Sequence, residues 1–227
     1  MEEQKHILVI NPNTTASMTT KIGEVARQAA GSNTRITAIN PQTGPAAIQG
    51  AEDGAAALPG LFSLVDRCMA SPETYDALVI ACFDDTGIWD LKDKLPIPVL
   101  GIGEAAYHVA ALTALRFSVV TTLSASVPVL KDNLKRMGFD RRCARVRASE
   151  VPVLELEDIK GEGRDKVRQQ ISRALKEDNI GAIALGCAGM AGFAADLSDE
   201  FSIPVIDGVA SAIRLGSTLF NSRNKIN

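Results

Sequence analysis

Residues Asp76 to Gly87 read "DALVIACFDDTG", an aliphatic run that hands a thiol, Cys82, to two acids, a threonine and a glycine. The run is short and shows no polar alternation, which predicts a strand covered on both faces, as strands of parallel sheets are. Runs of the same kind recur outward from it at His6 to Asn11, Thr34 to Asn40, Pro98 to Ile102, Arg116 to Thr121, Ala144 to Glu150, Ile180 to Gly186 and Ile203 to Ile206. Between them lie amphipathic stretches. Thr15 to Ala30 carries Met18, Ile22, Val25, Ala26 and Ala29 at helical spacing, and Leu61, Leu64, Val65, Cys68 and Met69 repeat the pattern. Strand and helix alternating in this way predict an α/β protein with parallel sheets.

The opening stretch has a counterpart. "DALVIACFDDTG" followed by "LPIPVLGIGEAA" overlays "GAIALGCAGMAG" followed by "FSIPVIDGVASA", with Cys82 and Cys187 105 positions apart and Pro98 and Pro204 106 apart. Each half also opens alike, with "ILVINPNTTASM" in one and "FSVVTTLSASVP" in the other. A duplicated lobe follows. The expected organisation is two similar four-stranded parallel lobes related by a pseudo-twofold axis, the first built from residues 1–98 plus 212–227 and the second from 99–211. Ligands of open parallel sheets bind beyond the carboxyl ends of the strands. The turns Asn11 to Thr15, Cys82 to Gly87, Thr121 to Ser124 and Cys187 to Met190 then face one cleft, with the two cysteines on opposite walls.

Composition narrows the possibilities. At 227 residues and 46% hydrophobic content the chain can bury a real core, and a net charge of −3 with its 24 Lys and Arg scattered argues against nucleic acid. The acidic start "MEEQKHILVI" and the lack of any apolar run near the roughly 18 to 20 residues of a membrane span predict a cytoplasmic protein. Four cysteines without a Cys-x-x-Cys pair, and only two histidines, His6 and His108, make structural zinc and a disulfide framework poor expectations.

Two matched thiols across a cleft suit one kind of reaction. A racemase removes a proton from one face of a carbon and returns one to the other, so it needs one group deprotonated and its twin protonated. Cysteine, with an ordinary pKa of about 8.5, fits, and a helix N-terminus after each strand is expected to favour the thiolate. The motifs "ILVINPNTT", "GPAAIQG", "IACFDDTG", "GIGEAAYH" and "LGCAGMAG" together resemble those of the Asp/Glu/hydantoin racemase superfamily, over nearly the whole chain, and within it the hydantoin and allantoin racemases.

That resemblance implies a racemase free of cofactor and metal in which Cys82 and Cys187 exchange the proton at C5 of a cyclic ureide, in a homo-oligomer. Around the thiols, Asn11, Asn13, Ile48, Phe83, Asp84, Thr121, Thr122, Ala188 and Gly189 are the expected substrate contacts. Backbone N–H groups after the two cysteines are expected to hold the enolate oxygen. Amino-acid racemases of the superfamily follow their cysteines with Asn-Thr and Thr-His; here stand Phe83-Asp84 and Ala188-Gly189, which weakens an amino-acid substrate. Allantoin is favoured over 5-substituted hydantoins because the N–H groups of its ureido arm would meet Asp84 or Asp85. A ureide-binding protein is the non-enzymatic alternative, and the paired thiols count against it.

Other residues carry plainer expectations. Cys68 sits on an apolar helical stripe and Cys143 has no partner in the repeat, so neither is assigned a catalytic role. Asn13 doubles as a candidate helix cap, Asp84 and Asp85 as helix-start acids, and Glu104 as a charge at a helix start. Arg141, Arg142, Arg145 and Arg147 read as a solvated or subunit-facing surface. Trp89 and Tyr107 are expected to pack between lobes or subunits.

Overall fold

Each predicted strand forms, within a few residues of its expected bounds, in the computed structural model, which describes residues 4–157 and 162–223. The first sheet holds β1 (Lys5–Ile10), β2 (Thr34–Ile39), β3 (Ala77–Ile80) and β4 (Val99–Gly101) in the order β2-β1-β3-β4. The second holds β5 (Phe117–Thr121), β6 (Cys143–Ala148), β7 (Ala182–Gly186) and β8 (Val205–Ile206) in the order β6-β5-β7-β8. Every pairing is parallel and the two orders correspond strand for strand. The internal repeat is therefore a repeat of topology.

The helices are α1 (Ala16–Ala29), α2 (Ala51–Met69), α3 (Ile88–Lys94), α4 (Ile102–Thr113), α5 (Val127–Arg136), α6 (Glu162–Glu177), α7 (Ala194–Phe201) and α8 (Gly208–Arg223). Their apolar stripes cover both faces of each sheet, which is why the strands lack alternation. In β1, Ile7 and Val9 enter a core shared by the two lobes, while Leu8 and Ile10 enter a second core under α2 and α3. In the other lobe Val119 belongs to the shared core and Val120 to a separate one with Val167 and Ile171 of α6.

The expected lobe boundary moves. β4 pairs with β3 from Leu78 to Ile80, so the first sheet runs through Gly101, and a cut at 98 would strip its edge strand. Helix α8 begins at Gly208, ahead of the expected 212, and packs on α1 and α4. Residues 224–227 of that expectation lie outside the described residues. Between the lobes Tyr107 is fully buried, edge-on to Phe83 with ring centroids 5.4 Å apart and stacked with Phe117 at 6.2 Å. Trp89 on α3 lies under the Arg136 guanidinium of α5, 4.6 Å from the ring centre.

The arginine cluster is corrected in part: Arg141 and Arg145 are exposed as expected, whereas Arg142 is half-buried and Arg147 buried. Arg147 is 8% exposed, and its Nε and terminal nitrogen donate to Asp178 at 2.8 and 2.6 Å, while the Ser118 hydroxyl donates to the same carboxylate at 2.8 Å. Arg142 donates to the carbonyl oxygens of Ala111, Ala114 and Leu115 and so closes the end of α4. A run of arginines looks solvated in sequence because its partners come from distant segments.

Candidate active site

Strand β3 stops at Ile80, and Cys82 follows two residues later in a tight turn; β7 runs to Gly186 and Cys187 follows at once. Both thiols are half-buried and face one cavity between the lobes. Asn13, Ile48, Phe83, Asp84, Thr122 and Ala188 line it, as the sequence suggests, together with Met18, Ala81, Ser126, Val153 and Gly186. Among the described residues no group of three His, Cys, Asp or Glu is placed to hold a metal ion. About 20 Å³ of the cavity is open to the centre of a water-sized sphere, room for a single water. Hydrogen bonds that cross between the lobes include Val153 N to Gln49 Oε1 at 3.0 Å and Asn133 Nδ2 to the Asp84 carbonyl at 2.8 Å.

Three expected contacts lie elsewhere. Asn11 is buried and spends its amide on Asn13 Oδ1 at 2.8 Å and Thr19 Oγ1 at 3.0 Å, so it orients Asn13 behind the wall. Asn13 Oδ1 also accepts from Thr15 N at 2.9 Å, a local turn bond rather than the cap of α1. The Thr121 hydroxyl points into the sheet and donates to the Gly186 carbonyl at 2.8 Å. Gly189 approaches only through its N–H, which donates to Cys187 Sγ at 3.3 Å. Ser126 is the polar wall residue that sequence reading missed. It lies just past the "TTLS" turn, and the correspondence with "NPNTTASM" was the only signal for it.

The expected helix start beside each thiol is absent. A single 3-10 turn, Ala188–Met190, follows Cys187, and α3 opens only at Ile88. Burial therefore prevails over the few donors. It pushes Cys82 well above the ordinary thiol value, with Asp84 adding to the rise and the Thr86 hydroxyl and Asp84 N–H opposing it. Burial likewise pushes Cys187 up to about 12 against the N–H groups of Gly189 and Met190. The Gly189 N–H is engaged by the sulfur at 3.3 Å and the Met190 N–H by the Cys187 carbonyl at 3.1 Å. Cys68 and Cys143 stay outside the cavity, and burial raises both thiols, Cys143 to about 12.

The two adjacent acids separate in role. Asp85, 3% exposed and held at a φ of 50°, turns its carboxylate to the start of α4, where Gly103 N donates at 2.9 Å and Glu104 N at 2.7 Å. A side chain at Gly101 or Gly103 would collide with this carboxylate. Burial pushes Asp85 up against those two donors. Asp84 faces the cavity instead, and its Oδ2 is shut from solvent without a hydrogen-bond partner. Burial raises its carboxyl to about 7, opposed by the Ser126 hydroxyl.

Two equivalent strand ends that bring two thiols to one interlobe cavity define a class of protein, the two-lobed α/β racemases. The profile of the family described as Asp/Glu/Hydantoin racemase matches residues 7–216. A hydantoin racemase of Rhizobium meliloti is 40% identical, covering 96% of this chain and 89% of its own. The structure of an allantoin racemase from Klebsiella pneumoniae superposes with a TM-score of 0.91 at 42% identity, covering 96% of this chain and 89% of that one. An allantoin racemase from Pseudomonas fluorescens superposes with a TM-score of 0.90 at 37% identity, with 96% and 92% covered. The chain belongs to the Asp/Glu/hydantoin racemase family. It is an isomerase, a racemase of the hydantoin and allantoin type.

Proposed function

We propose that the protein racemises allantoin by passing the C5 proton between Cys82 and Cys187. The observation that carries this reading is the placement of the two thiols, at corresponding ends of β3 and β7, on one cavity. The neighbouring carbonyl acidifies the C5–H bond. A thiolate on one wall takes that proton, negative charge moves to the carbonyl oxygen, and the thiol on the other wall returns a proton to the opposite face. The wall hydroxyl of Thr122 supplies a hydrogen-bond donor for the enolate oxygen.

Allantoin is favoured by Asp84, whose unpartnered oxygen meets the polar ureido arm, and by the likeness to the two allantoin racemase structures. A 5-alkyl hydantoin is the second reading, supported by the apolar walls of Met18, Ile48, Phe83 and Val153 and by the relative named hydantoin racemase.

Single enantiomers of allantoin and 5-methylhydantoin, followed by polarimetry and deuterium uptake in D2O, test both points once the uncatalysed rate is subtracted. Allantoin is expected to racemise faster. Cys82→Ser and Cys187→Ser are each expected to lose at least about 100-fold in racemisation, the scale of removing a positioned acid or base. Full activity in either variant refutes the two-thiol mechanism.

A further inference from the structure

We propose that Asp84 serves this site as a neutral carboxylic acid, donating its O–H to the ureido carbonyl of allantoin while its other oxygen accepts an N–H of the same group. The inference rests on the allantoin reading above. A ureido arm offers a carbonyl acceptor beside an N–H donor. A carboxylic acid matches both in one planar pair, whereas a carboxylate only accepts and faces the carbonyl lone pairs.

The surroundings favour the neutral form. Among the residues lining the cavity there is no Lys, Arg or His to balance a carboxylate. The titratable groups that act on Asp84 or feel its charge are acids: Cys82 beside it, Cys187 across the cavity, Asp53 from α2, Asp85 next in the chain and Tyr107 from α4. The Ser126 hydroxyl is the one neighbour that favours its charge. Oδ2 has no partner at all. The chemistry adds its own demand, because a thiolate, and after it the enolate, places one negative charge in this space. A second anion in the same desolvated pocket would repel it. With its carboxyl raised to about 7, Asp84 is readily kept neutral, as acids in apolar catalytic pockets are.

The test uses the Cys82→Ser/Cys187→Ser protein, which removes turnover and thiol titration, and calorimetry with allantoin in buffers of different ionisation enthalpy. Affinity is expected to be level below about pH 7 and to weaken about tenfold per unit above it, with nearly one proton taken up on binding at about pH 8.5. Asp84→Asn in the same background keeps a donor and an acceptor. It should bind within a few-fold of its parent at about pH 6, with no proton uptake and no pH dependence. Affinity that strengthens as pH rises through 7, or binding without proton uptake, overturns the neutral-acid role and leaves the allantoin reading standing. The allantoin reading itself fails if 5-methylhydantoin binds tighter and Asp84→Asn alters neither ligand.

Discussion

Replacing Asp85 with alanine removes the carboxylate that closes the start of α4. Gly103 N and Glu104 N, now bonded to it at 2.9 and 2.7 Å, lose their acceptor in a site that is 3% exposed. A buried donor left without a partner costs about 1–3 kcal/mol, and loss of a helix cap alone typically about 1 kcal/mol. The space vacated beside Gly101 and Gly103 admits some water, so the two losses do not add in full. A destabilisation of about 3 kcal/mol follows, which for a chain of this size lowers Tm by about 6–12 °C. Asp85→Asn, which keeps one acceptor and turns an NH2 toward the second N–H, should fall between wild type and alanine. Calorimetric or circular-dichroism melting measures the loss, and KM for allantoin on the folded protein measures the site. KM should stay within about twofold, because this carboxylate turns to α4 and not to the cavity. A Tm drop below about 2 °C, or a raised KM at unchanged Tm, refutes the reasoning and returns Asp85 to the substrate.

Other expectations follow from the same structure. kcat/KM should climb about tenfold per pH unit below about 7, because burial holds both thiols far above neutral pH and the thiolate is scarce. Above about 7 Asp84 ionises and takes the pocket's one negative charge, so the climb levels off; in Asp84→Asn it should continue, and a flat wild-type profile from about pH 5 to 9 would sink this account. Arg147→Leu leaves the buried Asp178 charge only the Ser118 hydroxyl and Arg145 at 3.6 Å, and should cost about 3 kcal/mol in urea unfolding. Burial pushes Asp178 up, yet Arg147 and Ser118 hold it below the ordinary value, so the pair's contribution is complete above about pH 3.9 and fades as pH falls through the lowered folded-state pKa. Tyr107→Phe removes a buried hydroxyl that lacks a partner and should leave stability unchanged or raise it by about 1 kcal/mol; a loss above about 1 kcal/mol in the same assay would reveal a partner for that oxygen.

Much of the site was legible before any fold was known. Cys82 and Cys187 stand out because they occupy corresponding places in a repeat, and strand-end position is a local property that an apolar run followed by a polar turn announces. Asn13, Phe83, Asp84, Thr122 and Ala188 were placed near them by the same logic, Ile48 came with the "GPAAIQG" motif, and all line the cavity. Thr121 and Thr122 show its limit. They are neighbours of one residue type at one strand end, yet the Thr121 hydroxyl turns to Gly186 while Thr122 lines the cavity. Asp84 and Asp85 divide in the same way, one toward the thiols and one toward α4.

The chain alone therefore determined the alternation of strand and helix, the duplication and the pairing of two cysteines at equivalent strand ends, because each is written in short-range periodicity and in repeats. Only the tertiary structure decided which of two adjacent acids faces the cavity, that Arg147 is buried on Asp178, that β4 belongs to the first sheet and that the thiols sit above their ordinary pKa. The reason is physical. Orientation, pairing and desolvation depend on the groups that folding brings opposite a residue, and in this protein those groups come from segments remote in the chain.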